Sequence, residues 1–141
     1  MAESCAFCEI AVDVERPEVV YVDEVVVAFL DHRPLFHGHT LVIPRRHVVT
    51  LGDLPDGLVG PFWRRVRHLS LEIPRLMEAE GSFVANNNIV SQSVAHLHVH
   101  VVPRRKGDGL RGFFWPRTRY EGDEGARLAA RLGAGISQLC D

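Results

Sequence analysis

The sequence predicts an α+β fold in which an antiparallel sheet of about five strands packs with one long helix and a short C-terminal helix. Three observations carry this prediction. Several short β-rich segments are separated by turn residues, one long segment has the apolar periodicity of an amphipathic helix, and a weaker helical segment lies near the end of the chain.

The β-rich segments define five candidate strands. Val19 to Leu30 is rich in β-branched residues and is interrupted by Asp23-Glu24, which predicts two strands joined by a tight turn. His39 to Pro44 predicts the third strand, Ser82 to Asn88 the fourth and Ala95 to Pro103 the fifth.

The long helix is predicted from about Asp56 to Glu80. Its apolar residues recur at three- and four-residue steps: Leu58, Phe62, Val66, Leu69, Ile73, Leu76 and Met77. Pro74 lies inside this segment and should kink or end the helix. Glu121 to Cys140 predicts the short helix, although Gly133 and Gly135 weaken that prediction. Before the first strand, we expect only an apolar turn.

Composition excludes several classes of protein. The chain has 141 residues, of which 46% are hydrophobic and 24% charged, and its net charge is −2. These values suit one globular domain and argue against a dedicated nucleic-acid binder. No stretch approaches the length of a membrane-spanning helix and the N-terminus lacks a signal segment, so we expect a cytoplasmic protein with no membrane partner.

A basic stretch between Arg104 and Arg119 and an aromatic segment, Phe113 to Pro116, follow the last predicted strand. The basic stretch is either a solvated loop or a local attractor for a phosphorylated small molecule. The aromatic segment packs within the monomer, covers a ligand pocket or reaches a partner subunit.

Three histidines alternate in the fifth predicted strand. Because successive side chains of a strand point to opposite faces, His96, His98 and His100 are expected to share one face. The other face is apolar and should pack on the long helix: Leu97, Val99 and Val101. Two interpretations follow from the residues alone, namely three ligands of a catalytic metal or one nucleophilic imidazole with supporting neighbours.

The residues around this strand resemble the histidine triad (HIT) family. Asn86 to Arg104 contains Gln92-Ser93-Val94, then His-x-His-x-His and small apolar residues. Matching upstream motifs are Ala28 to Asp31, Pro34, Gly38 to Pro44 and Arg46-His47. The resemblance covers about Cys5 to Arg104, and it implies a HIT-like fold in a single domain over residues 1–141, with a core at about 5–104 and an extension at 105–141.

The resemblance implies a nucleotide hydrolase or transferase, with a purine nucleoside monophosphate moiety as the recognised group. The middle histidine, His98, attacks the α-phosphate of a phosphoramidate or dinucleoside polyphosphate, and water then releases the monophosphate. A backbone carbonyl near His100 would hold the other ring nitrogen. His100 and amides near Ser93 would stabilise phosphoryl charge, while Gln92 and Ser93 would bind the leaving group or a phosphoryl oxygen.

The same resemblance assigns substrate contacts upstream. Asp31 matches the position that binds ribose hydroxyls, and Asn86 is a candidate polar contact. Phe29 and Ile43 are apolar walls or simply core. The loop before Gln92 departs from the family, because glycines are usual there and this chain has Asn-Asn-Asn-Ile-Val-Ser.

A second group of residues points to a structural metal. Cys5-x-x-Cys8 alone is weak evidence, but several HIT branches complete such a pair with the first triad histidine and an upstream histidine, here His96 and His47. Two thiolates and two imidazoles suit tetrahedral structural zinc. No organic cofactor is implied, and the family commonly forms homodimers through the long helix and an edge strand.

Two other functions compete with the nucleophile interpretation. One is a metal-dependent hydrolase in which all three triad histidines bind one ion. The other is a non-catalytic nucleotide-binding regulatory dimer.

Overall fold

A computed structural model describes residues 4–111 and 117–140, and it confirms the α+β fold. The strands are β1 (Val19–Val22), β2 (Val26–Leu30), β3 (Thr40–Pro44), β4 (Gly81–Ala85) and β5 (Val99–Arg104). They form one antiparallel sheet in the order β1-β2-β3-β5-β4. The helices are α1 (Ala6–Val12), α2 (Asp56–Leu76) and α3 (Glu124–Gly135).

The chain divides into two compact units, Met1–Asp108 and Gly109–Asp141. The first contains the sheet with α1 and α2, and the second contains α3, in which no residue is buried. A single domain over residues 1–141 therefore stays a prediction. The aromatic segment Phe113 to Pro116 lies outside the described residues. Among the residues that are described, no helix is both long and apolar enough to span a membrane.

The N-terminal turn expected from the sequence is instead a helix, α1. Its seven residues are too few to show a helical period, and packing stabilises it. Phe7 and Ile10 are buried against Phe29 and Leu41 of the sheet. At its start, the Cys5 sulfur accepts a hydrogen bond from the Cys8 amide at 3.4 Å.

The last two strands are shorter than predicted, and this changes the setting of the histidines. β4 ends at Ala85, and β5 begins only at Val99. His96 and His98 therefore precede the strand instead of lying in it. Their segment is tied down locally, because the Leu97 amide donates to the Val48 carbonyl at 2.7 Å.

The long helix α2 ends at Leu76, short of the predicted Glu80, and it continues past Pro74. Two hydrogen bonds close this end: the Ala79 amide donates to the Pro74 carbonyl at 2.8 Å and the Glu78 amide to the Arg75 carbonyl at 3.3 Å. Glu78 has a φ of +53°. This is a Schellman ending with glutamate at the position that usually holds glycine.

Two apolar clusters lie on opposite faces of the sheet. As predicted, Leu97, Val99 and Val101 pack on α2, in a cluster that includes Phe62 and Val66. The second cluster joins α1 to β2 and β3. The sheet is thus covered by a long helix on one face and by a short one on the other.

An ion-pair network fastens the β1–β2 turn to α2. One Asp23 carboxylate oxygen accepts from the amides of Val25 and Val26 at 2.8 and 3.0 Å, and the other accepts from Arg65 at 2.8 Å. Burial alone would raise the pKa of Asp23, but these hydrogen bonds outweigh it and lower the pKa to about 2.

We expect Asp23→Ala to lower the free energy of unfolding by about 2 kcal/mol at neutral pH, because four donors, the fourth being the Tyr21 hydroxyl at 2.8 Å, lose their acceptor. A carboxylate with a lowered pKa stabilises the fold above its unfolded value of about 4. That contribution is lost as the pH falls through about 2. Urea denaturation between pH 7 and pH 2 should therefore show that the difference in unfolding free energy between variant and wild type shrinks at acid pH.

In the control Asp13→Ala, which removes only an exposed pair with Arg16, the loss of unfolding free energy should stay below about 0.5 kcal/mol. Equal losses in both variants would contradict the assigned role of Asp23.

Candidate active site and metal centre

A cavity of about 520 Å³ opens beside α1. Its apolar walls include Phe7, Ile10, Phe29 and Leu41, and its polar lining includes Asp31, Ser93, His98 and His100. Phe29 is thus both core and wall. Ile43 is fully buried in the cluster behind it and does not line the cavity.

The His98 ring is fixed by a backbone carbonyl. Its Nδ1 lies 2.8 Å from the carbonyl oxygen of His96. Since a carbonyl can only accept, Nδ1 carries the proton and Nε2 keeps its lone pair. The acceptor was expected near His100, but it lies two residues before His98. The early end of β4 and late start of β5 leave this carbonyl outside the sheet ladder and available to the ring.

His100 is fixed by a residue that sequence reasoning did not assign to the site, His39. The Leu35 amide donates to Nδ1 of His39 at 3.0 Å, so Nε2 of His39 carries the proton. That nitrogen lies 2.9 Å from Nδ1 of His100, which leaves Nε2 of His100 as a donor. Burial lowers the pKa of His39, and burial with neighbouring His98 and His39 lowers the pKa of His100 to about 4. The sequence did contain an indication of this role, because His39 lies in the Gly38 to Pro44 motif that carries part of the family resemblance.

Gly38 sets the position of His39. Its φ is +94°, and a Cβ there would lie 2.9 Å from Cγ of Met77. Next to this turn, an Asp31 carboxylate oxygen is 3.7 Å from Nε2 of His39. Asp31 therefore lies in the cavity, at its imidazole-rich end.

Asn86 and Gln92 have side chains engaged with backbone instead of lining the cavity. Asn86 donates to the His98 carbonyl at 3.1 Å. Gln92 accepts from the Ile89 amide at 2.9 Å and donates to the Val49 carbonyl at 2.6 Å. Asn86 thus anchors the peptide of His98, and Gln92 anchors the preceding loop to Val49.

The Gln92 contact supports a strained loop. Ile89 and Ser91 have φ values of +69° and +61°, in the region that favours glycine. The resemblance noted from the sequence predicts glycines in this loop. The chain adopts the left-handed conformation here with other residues, at a cost of about 1–2 kcal/mol per residue.

The predicted metal ligands come together in a tight group. The ligand atoms of Cys5, Cys8, His47 and His96 all lie within 4.8 Å of one another. Nδ1 of His47 is 3.2 Å from Nδ1 of His96, and the Cys8 sulfur is 3.5 Å from Nδ1 of His96. A tetrahedral zinc site has edges of about 3.3 Å between nitrogens and about 3.6 Å between nitrogen and sulfur. The donors therefore fit this metal in type and in spacing.

The protonation of these ligands also suits a cation. Nε2 of His96 lies 2.9 Å from the Pro44 carbonyl, so it carries the proton and Nδ1 has a free lone pair. Burial and the adjacent Cys5 raise the pKa of Cys8 to about 11. A bound cation would reverse that penalty by stabilising the thiolate.

Helix α1 belongs to both sites. Phe7 lies between the two cysteines in sequence, and its ring packs edge-to-face on His98 with centroids 5.2 Å apart. It also packs on Phe29 at 5.2 Å. Any group that binds the two cysteines therefore also fixes the position of Phe7, which forms part of one wall of the cavity.

Known proteins share this sequence and architecture. The HIT domain family matches residues 13–107. The Bacillus subtilis protein hit is 39% identical over 117 residues, which cover 81% of this chain and 80% of that protein. Adenosine 5'-monophosphoramidase HNT1 of Candida albicans is 30% identical over 144 residues, covering 96% of this chain and 93% of that protein.

Solved structures agree. A HIT family protein from Bacillus subtilis superposes with a TM-score of 0.83 at 30% identity, covering 97% of this chain and all of that one. A zinc-bound histidine triad family protein from Mycobacterium smegmatis gives 0.70 at 35% identity, with 93% and 94% covered. The match of fold and sequence over most of the chain shows that it belongs to the HIT domain family.

Proposed function

We propose that this chain hydrolyses or transfers nucleotide conjugates by cleavage at the α-phosphate, through a covalent nucleotidyl-His98. One observation carries the proposal. The buried His98 has its Nδ1 proton held by the His96 carbonyl, so its Nε2 lone pair is the free nucleophilic position at the cavity.

The cavity suits a nucleoside monophosphate. Phe7, Phe29 and Leu41 offer apolar surface to a base, and Asp31 offers a carboxylate to the ribose hydroxyls. The relative from Candida albicans is named as a monophosphoramidase, which is consistent with this class of reaction.

In the first step, Nε2 of His98 forms a bond to phosphorus while the bond from phosphorus to the leaving group breaks. The leaving atom keeps the electron pair and takes up a proton, from Ser93 or from solvent. The ring becomes a phosphoryl imidazolium, and its positive charge is stabilised by the His96 carbonyl. The Nε2–H group of His100 donates to a phosphoryl oxygen.

In the second step, water attacks phosphorus from the vacated side. The bond to His98 breaks, its electron pair returns to Nε2, and a proton passes to solvent. The products are a nucleoside monophosphate and the original neutral imidazole. Transfer differs only in that another nucleophile replaces water.

Zinc is proposed as the structural ion of the cysteine-histidine group, held by Cys5, Cys8, His47 and His96. When bound, it supplies a cross-link and charge neutralisation. A site made of all three triad histidines is disfavoured, because Nδ1 of His96 faces the cysteines and Nδ1 of His98 is engaged by a carbonyl. A homodimer built on α2 and an edge strand of the sheet, with a cytoplasmic location, belongs to the same proposal.

The nucleophile is tested by trapping. Incubation with an adenosine 5'-phosphoramidate and rapid acid-free quenching should give an adenylyl adduct by intact-mass spectrometry. The adduct should map to His98 and be absent in His98→Ala, together with AMP release. Tight nucleotide binding with no adduct and no AMP would favour the regulatory-dimer alternative.

The relay from His39 to His100 is tested by paired substitutions. His39→Leu removes the donor that fixes the His100 tautomer, so kcat should fall by about tenfold to a hundredfold while KM changes little. His39→Gln keeps an N–H donor and should restore part of the rate. The exposed His37→Gln is the matched control and should behave as wild type. Equal rates for the Leu and Gln variants would refute the relay.

Zinc is tested by elemental analysis. We expect about one equivalent in the purified wild type and a large loss in Cys8→Ser, with a lower thermal midpoint because a cross-link is gone. Cys140→Ser, at an exposed cysteine of the second unit, should retain both. Full zinc content in Cys8→Ser, or its loss in His98→Ala, would contradict the ligand assignment.

A further inference from the structure

Glu18 lines the same cavity as His98, and the reaction described above gives it no role. It is half-buried and lies immediately before β1 in the chain. We propose that the Glu18 carboxylate binds the Watson–Crick edge of the base and thereby selects guanine over adenine. The inference rests on the proposed function, because it takes the nucleotide to lie in this cavity with its phosphorus at His98.

The pairing of the strands places Glu18 at the end of the cavity away from the histidines. Phe29, Leu41 and His100 are successive partners in register across β2, β3 and β5, so they form one row. The Glu18 carbonyl accepts from the Leu30 amide at 2.9 Å, which fixes its backbone beside β2. β1 lies three interstrand spacings, about 14 Å, from β5. A nucleotide with its phosphorus at the histidines therefore directs its base along this row toward Glu18.

The walls between these two ends do not distinguish one purine from another. Four apolar residues contribute to them: Phe7, Ile10, Phe29 and Leu41. They offer contact area to the face of any base, and the two purines share the same fused-ring face. Discrimination between bases therefore requires a hydrogen-bonding group at the edge of the base.

Three polar residues line the cavity besides the triad histidines and Ser93, namely Glu18, Asp31 and His32. Asp31 is assigned to the ribose, and one of its oxygens already accepts from the Arg33 amide at 2.9 Å. The side chain of His32 is 91% exposed, so a hydrogen bond to it is weakened by competing water. Glu18 is the half-buried member of the three that has no other assignment.

The charge of Glu18 is not compensated by the protein. In the part of the chain that the structure describes, its carboxylate has no hydrogen-bond or ion-pair partner, and no lysine or arginine lines the cavity. Arg16, two residues earlier, pairs instead with Asp13 at 3.3 Å. A carboxylate can only accept hydrogen bonds, and an unpaired one repels an anionic nucleotide. A base that donates hydrogen bonds to Glu18 offsets this repulsion.

Guanine and adenine differ in what they present to a carboxylate. Guanine has N1–H and the N2 amino group side by side, so each carboxylate oxygen accepts one hydrogen bond. Adenine has a lone pair at N1, which faces a carboxylate oxygen unfavourably, and it retains only the N6 amino group as a donor. A site that accepts two hydrogen bonds discriminates against a base that supplies one. The Glu18 carboxylate therefore favours guanine.

The selection is measured with substrates that differ only in the base. The 5'-phosphoramidates of guanosine, inosine and adenosine share the ribose and the scissile P–N bond. Wild type should prefer guanosine to adenosine in kcat/KM by about tenfold to a hundredfold. Inosine, which keeps N1–H but lacks the N2 amino group, should lie between them. Because the base is bound equally in the ground and transition states, the preference should appear in KM, with kcat nearly constant.

Calorimetric titration with GMP and AMP measures the same selection without turnover. GMP should have the lower Kd, by about tenfold or more. Glu18→Gln removes the charge and presents one donor and one acceptor, a pair that either purine can match. The ratio of the two Kd values should then fall to within about threefold of unity. Glu18→Asp keeps the carboxylate and should retain part of the preference.

The matched control is Glu15→Gln, which removes the same charge three residues away. Glu15 is exposed and does not line this cavity, so the GMP preference should equal that of wild type. Because each ratio is taken within one variant, it does not depend on the fraction of protein that is folded.

The inference is overturned if wild type binds AMP as tightly as GMP or more tightly, or if Glu18→Gln keeps the wild-type ratio. In those cases an adduct at His98 still supports the proposed function. A GMP preference that depends on Glu18, in a protein that forms no adduct with any of the three substrates, would instead overturn the proposed nucleophile and leave the base selection in place.

Discussion

The hydrogen bond from Nδ1 of His98 to the His96 carbonyl constrains the rest of the site. It assigns the lone pair of His98 to the cavity, and it requires the peptide of His96 to face that ring. The His96 side chain is then directed to the cysteines, with its own Nε2 donating to the Pro44 carbonyl. The three imidazole rings thus differ in their surroundings, because each has one nitrogen bound to a different partner. For His100 that partner is His39.

Helix α1 gives this arrangement its stiffness. Its first turn carries the cysteines, with Cys5 as the N-cap. Its buried side, through Phe7, packs on the His98 ring and on Phe29. A seven-residue helix has little stability of its own, so its packing on the sheet must hold it. The same short element therefore supplies candidate metal ligands, a cavity wall and a contact to the nucleophile candidate.

The sequence predicted the sheet and α2 because periodicity is a local property, whereas the grouping of the cysteines with His47 and His96 followed from the resemblance to the HIT family. It did not predict α1, which depends on burial against distant strands, or the partner of His98, which depends on where β5 begins. Gln92 illustrates the limit most clearly. Its motif position predicts a substrate contact. In the structure its side-chain oxygen accepts from the amide of Ile89, a residue with positive φ, and its side-chain nitrogen donates to the Val49 carbonyl. Whether backbone groups or a substrate bind such a side chain depends on the tertiary structure, and the spacing of residues in the sequence does not reveal it.

The sequence separation of 91 between Cys5 and His96 also affects the order in which the fold is completed. During synthesis, the first helix leaves the ribosome long before His96 and His98, which Cys5 and Phe7 contact, have been made. Its cysteines then stay exposed to solvent and to stray ions until the final strand has been made, since contacts so distant in sequence form late. The cysteine-histidine group is accordingly completed late in folding, and a nascent chain interrupted before the triad would hold β1, β2 and β3 but not the rest of the sheet, because β4 pairs with β5.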